Sequence, residues 1–559
     1  MMEIPVQEPR GRASTPLWAA ALAYSLLTLA ATWPLARDLD RRVAGDLGDP
    51  VLVMWVMSWV MTHLTRALKG DIAALAAMWD ANIFHPEPGT LALSEHFIAQ
   101  SARALPVWWA TGNAILAYNL SVLLTFALTG FGTFLLARRC FGGWVGPFAA
   151  GVFAAFTQYR MISLGHLHTL SIEWLPLAMW AADRMAERPS IGRAAAFALC
   201  VAALNLSSIY LMALGLPFVV AFGVVAFAAR GRLGDVRAVA AGAGALGAAA
   251  LITLPTVLPY LRMAREQGLA RPIEEVITHS ATLAAYRDLL LPTIWVPLVL
   301  AVIGIASALA PSQPRWRPYV VTFAGMTIAA FLLSLGPSIA PGVPGPYRLL
   351  YDYVPGFGGL RVVHRYGAVL MIVLPVVAAA GGEALVRRWR VMVVPVLALT
   401  AVAFVQTWPR PFPIDRRPES PGLEAPPAYL TPAPALPPIY LAVMGLPGEA
   451  ALAEFPLGDL GYDVRYMFFS TLHGRRLLNG YSGFVPPNLY KRQADLRLPL
   501  RDPDAAWLAL GSATHAVVHD RAWSDGTGAG IRALLESRGA RPVARADDAW
   551  LYALPPDRE

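Results

Sequence analysis

A chain of 559 residues that is 56% hydrophobic and 15% charged, with a mean hydropathy of +0.49, is too apolar to be a water-soluble protein of this size. Its formal charge of +8 would suit nucleic acid, but much of the arginine falls in short breaks between apolar runs, where it orients helices in a bilayer; no nucleic-acid partner is expected. Two cysteines, Cys140 and Cys200, both in or beside apolar runs, exclude a disulfide framework and a cysteine-based metal site.

Crossing a hydrocarbon core of about 30 Å takes about 20 apolar residues in a helix. In chain order the candidate spans are 15–34, 113–137, 143–160, 168–183, 194–210, 211–229, 238–260, 289–310, 318–337, 366–386 and 391–408. The first is longer than a signal-peptide core and is followed by further spans, so it reads as a retained helix. The run 194–229 carries no charge and as one helix would be about 54 Å long, too long for a single crossing. Asn205, Ser207 and Ser208 near its middle predict a turn and hence a hairpin.

Short loops orient the bundle. With the N-terminus inside, the inner loops hold Arg10 and Arg12, Arg138 and Arg139, Arg184, Arg188 and Arg193, Arg230, Arg232 and Arg237, Arg315 and Arg317, and Arg387, Arg388 and Arg390. The outer loops are longer and of mixed charge, the largest being 37–112 and 261–290. An odd number of crossings, about eleven, then leaves the C-terminal region outside. Lysine is confined to Lys69 and Lys491 while arginine is abundant, as in GC-rich bacterial genomes, and a bacterial cytoplasmic membrane is the expected location.

The expected architecture is a mainly α-helical polytopic membrane domain over 1–408, including the large outer loop 37–112, then a Pro-rich linker over 409–438 and a small extracytoplasmic α/β domain over 439–559. The linker reads as an extended spacer. In the last domain, AALAEFPL (450–457), HAVVHD (515–520) and AWLYAL (549–554) predict strands, and 530–538 predicts an amphipathic helix. No repeat is visible, and no inverted pair of interrupted helices of the kind transporters show.

The first outer loop begins RDLDRRVAGDLGDPVLVMWVMSWVMTHL. Trp55 and Trp59, four apart, share one helical face, as in a helix lying in the membrane interface. Asp46 and Asp49 precede that helix at the membrane surface. Asp49 could also cap it, with Pro50 at its first position, and the two roles are compatible. Further on, WDANIFHPEPGTLALSEHF (79–97) gathers Asp80, His85, Glu87, Glu95 and His96. A metal site could be drawn from these, but their spacing matches no template, and a polar loop folded over the outer mouth is the simpler reading.

The link QYRMISLGHLHTLSIEW (158–174) places Arg160, His166, His168 and Glu173 near the outer boundary, facing a wet cavity. His166 and His168 could bind a sugar, a phosphate or a metal, or satisfy backbone groups in a tight turn. The loop 333–369 carries Arg361, His364 and Arg365 into the outer end of the next helix. Four apart, the two arginines would share a face and clamp a phosphate at a helix N-terminus; the alternative is snorkelling to lipid headgroups. HGRRLLNGYSGFVPP (473–487), rich in Tyr, Asn and Gly, could stack on a sugar or acceptor, or pack onto the membrane domain.

The stretches GDLGDP, GHLHTLSIEWLPLAMWAADR, and LSLGP with PY, VPGF and LRVVHRYG resemble those of uncharacterised bacterial members of the GT-C superfamily, polytopic glycosyltransferases that use polyprenyl-phosphate sugar donors on the outer membrane face. Some similar proteins are implicated in decorating cell-envelope polymers. The resemblance implies a base for the acceptor hydroxyl in the first outer loop, where Asp49 or Asp46 occupies the matching place. The adjacent acidic pair of the protein mannosyltransferase branch is missing, because Leu47 and Gly48 separate the two aspartates, which argues against protein acceptors.

Displacing a polyprenyl phosphate from an anomeric carbon needs a base on the nucleophile and positive charge on the leaving phosphate. Asp49 can supply the first, and Arg361 and Arg365 the second, with His166, His168 or a divalent metal ion as further candidates for holding the phosphate. The expected partners are therefore a polyprenyl-phosphate sugar donor, a cell-envelope glycan or lipid acceptor, and membrane lipid. A lipid-linked glycan flippase or a non-catalytic envelope scaffold are the competing functions. Charges at one membrane face, with almost none in mid-membrane, favour transfer over transport.

Overall fold

The computed structural model describes residues 16–556 apart from 269, 311–312, 341, 410 and 432–434. Arg10 and Arg12 lie outside the described residues. Helix boundaries follow local capping chemistry. Asn113, Ser190, Ser208 and Asp235 each accept a first-turn amide with the side chain, opening α4 (Ala114–Phe141), α7 (Ile191–Ser207), α8 (Ile209–Ala228) and α9 (Val236–Gln267). The other main helices of this part are α1 (Leu17–Ala31), α2 (Asp49–Leu68), α3 (Ile98–Thr111), α5 (Val145–Ala155), α6 (Trp174–Glu187), α10 (Leu291–Leu309), α11 (Arg317–Ser334), α12 (Tyr366–Arg388) and α13 (Val393–Thr407).

Among the described residues, 8 helical stretches are long and apolar enough to cross a membrane, and α1 and α7 are shorter apolar helices. This is a multi-pass membrane protein. The uncharged run 194–229 breaks at Ser208, as expected. Arg193 at the start of α7 reaches Glu187 and the Arg184 carbonyl, while Arg230 just after α8 reaches Asp183. The run leaves one end of α6 and returns to it, which makes it a hairpin.

Two expected crossings turn out differently. The helices within 143–160 and 168–183 are α5 and α6, of 11 and 14 residues, too short to span about 30 Å alone. The link between them folds back into the protein. Arg139 at the end of α4 bonds Asp183 near the end of α6 at 2.7 Å, so the excursion through α5, the link and α6 starts and finishes on one face. That face is tied by a buried ionic knot, in which Asp183 also accepts from Arg230 and from Tyr319 of α11. The bundle is close-packed around α12: a Cβ on Gly381 would lie 1.9 Å from the Leu300 carbonyl oxygen, so only glycine lets α10 and α12 cross this closely.

The C-terminal region holds a five-stranded sheet of β1 (Ala451–Phe455), β2 (Arg476–Leu477), β3 (His515–His519), β4 (Arg541–Ala546) and β5 (Ala549–Ala553) in the order β2-β1-β3-β5-β4. β1 runs parallel to both neighbours, and β5 antiparallel to β3 and β4. α14 (Leu460–His473) and α15 (Thr527–Ser537) belong to the same region. The sheet contains the three strands expected from sequence plus two edges, one of two residues and one largely exposed, that have no hydrophobic alternation to mark them.

This region does not hang from a spacer. Among its described residues the Pro-rich segment contains no helix before Pro438, but it is strapped to the loop that precedes α2: Gly45 N donates to Pro413 O, Leu47 N to Arg416 O, and Asp415 N to Val43 O. The Asp415 carboxylate accepts from Val43 N and pairs with Arg42. One apolar cluster continues from Tyr24 and Trp55 through Phe84 to Leu452, Tyr466 and Leu551. α2 packs against α14 as well as against α3 and α4. Trp55 is buried and Trp59 half-buried, and both are engaged within the protein: Trp55 donates to Asn82 Oδ1 at 3.3 Å and Trp59 to the Met78 carbonyl at 2.8 Å, pinning the loop beyond α2.

Candidate active site

The acidic loop owes its shape to groups distant in sequence. Asn119 of α4 donates to the carbonyls of Leu39 and Arg42 and accepts from Ala44 N, and the strap holds the other side. Gly45, at φ +93°, packs against the backbone of Leu164 and Gly165. Asp46 Oδ1 then accepts from Gly48 N at 2.8 Å and closes the turn. Burial pushes the Asp46 carboxyl above the usual range, and the neighbouring Asp49 adds to this, while His166 and Arg416 oppose it.

Asp49 is the first residue of α2, and the N-cap is Gly48, with no side-chain cap. The capping role is therefore not realised. Its carboxylate, 31% exposed, faces across the chain: Oδ2 lies 3.2 Å from His166 Nε2, and the Tyr481 hydroxyl hydrogen-bonds it. Tyr481 belongs to the loop after β2. That loop is seated by Phe84 N donating to Asn479 O, His85 N to Leu477 O and Leu477 N to Asn82 O, with the Phe84 ring against Gly480.

Opposite this pair stand the basic residues before α12. They do not share a helical face, because Arg361 precedes the helix and Val363–Arg365 form a tight turn before it. Arg365 nevertheless lies over the Tyr210 ring, 4.8 Å from its centroid, with its charge acting on Asp49 and Glu95. Arg361 sits 3.8 Å from Glu275 and acts on Tyr481. His364 contacts the Tyr159 ring, with centroids 6.4 Å apart. The backbone of this segment is held by Tyr210, whose hydroxyl accepts from Val362 N at 2.6 Å.

No family model matches the chain, and no curated relative does. Among solved structures, the oligosaccharyltransferase of Archaeoglobus fulgidus, crystallised in complex with Zn and sulfate, is similar over 89% of this chain and 67% of that one, at a TM-score of 0.51 and 11% identity. The chain has a GT-C fold. ArnT from Cupriavidus metallidurans, bound to undecaprenyl phosphate, matches over 98% of this chain and 100% of its own, at a TM-score of 0.48 and 14% identity.

Within this GT-C fold the candidate residues divide by what they touch. Asp46, Asp49, His166, Arg361, His364 and Arg365 gather in one region between the re-entrant link, the start of α12 and the C-terminal loop. His168 lies behind His166, with ring centroids 5.7 Å apart. Burial pushes His168 far below the usual histidine range, and its Nε2 has no hydrogen-bond partner among the described residues.

The remaining candidates are engaged elsewhere. Glu173 is fully buried and bonds Arg103 at 2.8 Å. Arg160, under the Phe126 ring, donates to the Leu170 carbonyl and Thr125, which fixes the re-entrant link. Glu95 accepts from Ser208 Oγ, Ile209 N and Tyr210 N, so it closes the N-terminus of α8 from another part of the chain. His96 is buried against Trp79 and Tyr260, which pushes it down to about 3.

Among the described residues no three His, Cys, Asp or Glu side chains converge as a metal site requires. Asp49 and His166 close on each other instead. Tyr481, Tyr210, Glu275 and Arg416 were not singled out by sequence. The Tyr/Gly-rich character of 473–487 was the one signal that pointed near any of them.

Proposed function

We propose that this chain is a membrane glycosyltransferase that moves a sugar from a polyprenyl-phosphate donor to a hydroxyl of a cell-envelope glycan or lipid, with Asp49 as the base. The single observation that carries this reading is the state of Asp49. It is a helix-first carboxylate free of its own helix's amides, oriented by His166 and Tyr481, with the charge of Arg365 acting on it and that of Arg361 on Tyr481. Asp46 is committed to its turn through Gly48, which favours Asp49 for the chemistry.

In this reaction Asp49 takes the proton from the acceptor hydroxyl as that oxygen bonds to the anomeric carbon. The bond from that carbon to the phosphate oxygen breaks, and its electron pair leaves with the phosphate. Arg361 and Arg365 stabilise the charge that builds there. His166 positions the carboxylate. The GT-C fold supports the class of reaction, since the same fold carries an oligosaccharyltransferase.

The proposed location is the bacterial cytoplasmic membrane, with the arginine-rich loops inside and the C-terminal sheet outside. The test is transfer by the purified full chain in lipid nanodiscs, supplied with synthetic polyprenyl-phosphate sugars and envelope glycan or lipid acceptors. Product formation that requires the lipid-linked donor is the expected result. Failure with every such donor, alongside transport of a lipid-linked glycan across a sealed vesicle, would overturn it.

A further inference from the structure

α9 carries Leu251, Leu254, Leu258 and Leu261 at intervals of three and four residues, which puts them in one stripe along the helix. All four are exposed in the protein, on a helix long and apolar enough to cross the membrane. The stripe leads into a groove of about 1010 Å³ between the C-terminal end of α9 and the segment 72–89. This volume is at the upper end for a small-molecule site. The groove's floor is apolar, with Ile72 and Leu75 facing Leu258 and Leu261.

Its rim carries both signs of charge. Arg265 forms no ion pair among the described residues, and Arg262 pairs with Glu266 at 2.7 Å in an exposed position. Asp80 gives one oxygen to Gly89 N. Trp79 closes the inner wall, and behind it His96 and Tyr260 stand edge to face with its ring. The Tyr260 hydroxyl is tied to the Ser94 carbonyl at 2.6 Å, which fixes this wall, and none of the residues lining the groove belongs to the Asp49 region.

We propose that this groove holds one bilayer phospholipid with an amine-bearing, zwitterionic headgroup. Its acyl chains lie along the leucine stripe, its phosphate sits against Arg265 and Arg262, and its ammonium meets Asp80 and Glu266. A continuous path from a lipid-facing helix surface into an apolar groove selects a membrane lipid over a water-soluble ligand. A purely anionic headgroup would meet two carboxylates at the same rim, and a lipid in this groove would touch none of the residues gathered around Asp49. The site is independent of the glycosyl-transfer reaction.

The full chain is reconstituted in phosphatidylcholine vesicles containing a trace of phosphatidylethanolamine with a photoactivatable group on one acyl chain. Cross-links are mapped by mass spectrometry. They are expected to concentrate in 72–89 and 251–266 and to be competed away by unlabelled phosphatidylethanolamine. Ala76→Trp, at an exposed position lining the groove, should abolish them. Arg265→Gln should weaken the competition about fivefold, which also tests the site if the tryptophan variant fails to fold. Cross-links spread evenly over all lipid-facing helices and unchanged in both variants would overturn the proposal. So would competition by polyprenyl phosphate in place of phosphatidylethanolamine, which would assign the groove to the donor.

Discussion

His166 Nε2 lies 3.2 Å from Asp49 Oδ2, joining the re-entrant link between two short helices to the first residue of α2. A carboxylate at a helix start ordinarily folds back onto the amides of its own first turn. Here it is turned outward to a side chain, as the proposed role of base on an acceptor hydroxyl requires.

Asp49→Asn is expected to lower kcat for sugar transfer by about 10²- to 10⁴-fold, the usual contribution of a positioned base. No backbone group depends on this side chain, so thermal unfolding should be unchanged. Asp46→Asn keeps an oxygen for Gly48 N and should retain turnover within about tenfold. Wild-type turnover by Asp49→Asn in a purified transfer assay would remove it from the role of base.

Arg365→Gln should reduce kcat/KM for the lipid-linked donor by about 10²-fold if, as proposed, it removes the charge that stabilises the leaving phosphate. Arg361 shares its charge with Glu275, and Arg361→Gln should cost about tenfold. Donor titrations of the two variants separate these effects. Equal and small losses would leave the arginines as lipid-headgroup contacts.

Asp183→Asn should destabilise the protein by about 3–5 kcal/mol, since it leaves Arg139 and Arg230 facing a neutral, nearly inaccessible group. Scanning fluorimetry in nanodiscs measures this. Because the knot lies at the opposite end of α6 from the Asp49 region, KM for the donor should not change in protein that remains folded.

In the C-terminal region, burial pushes the Asp463 carboxyl up to about 8, from 3.8, and nearby Asp459 and Glu454 act in the same direction. The folded state therefore binds this proton more tightly than the unfolded chain. Stability is fullest below the ordinary carboxylate range and is lost as pH rises towards 8, at up to about 1.4 kcal/mol per pH unit from this one group. Asp463→Asn should flatten that slope, at some cost in stability, because the carboxyl accepts from Asn479 on one oxygen and from Gly458 N on the other, whereas the amide has a single oxygen. Denaturation midpoints at several pH values provide the check; an unchanged slope would place the titrating group elsewhere.

With Cys140 and Cys200 replaced, a single cysteine in place of the exposed Tyr490 should react with a membrane-impermeant maleimide on intact spheroplasts. One in place of Ile191, also exposed, should not react until the cells are opened. The reverse pattern would invert the proposed topology.

Hydropathy revealed the polytopic bundle, the polar residues within the uncharged run 194–229 its break at Ser208, and short apolar runs three of the five strands. These are properties of neighbouring residues, and capping, span length and period-two burial act over one or two turns of chain. The two short helices α5 and α6 escaped the same logic, because an apolar run buried inside a protein has the composition of one buried in lipid.

The sequence by itself determined that Asp46, Asp49, His166, His168, Arg361 and Arg365 would lie at the polar ends of apolar segments. Tertiary structure alone decided which of them meet. Asp49 reaches Tyr481 and the acidic loop reaches Pro413 and Arg416 across hundreds of residues, through contacts that leave no local period or spacing. The Pro-rich segment shows this most directly. Its composition rules out a helix, but its role as a strap depends on the unpaired amides of the loop before α2, which must find acceptors when that loop is buried.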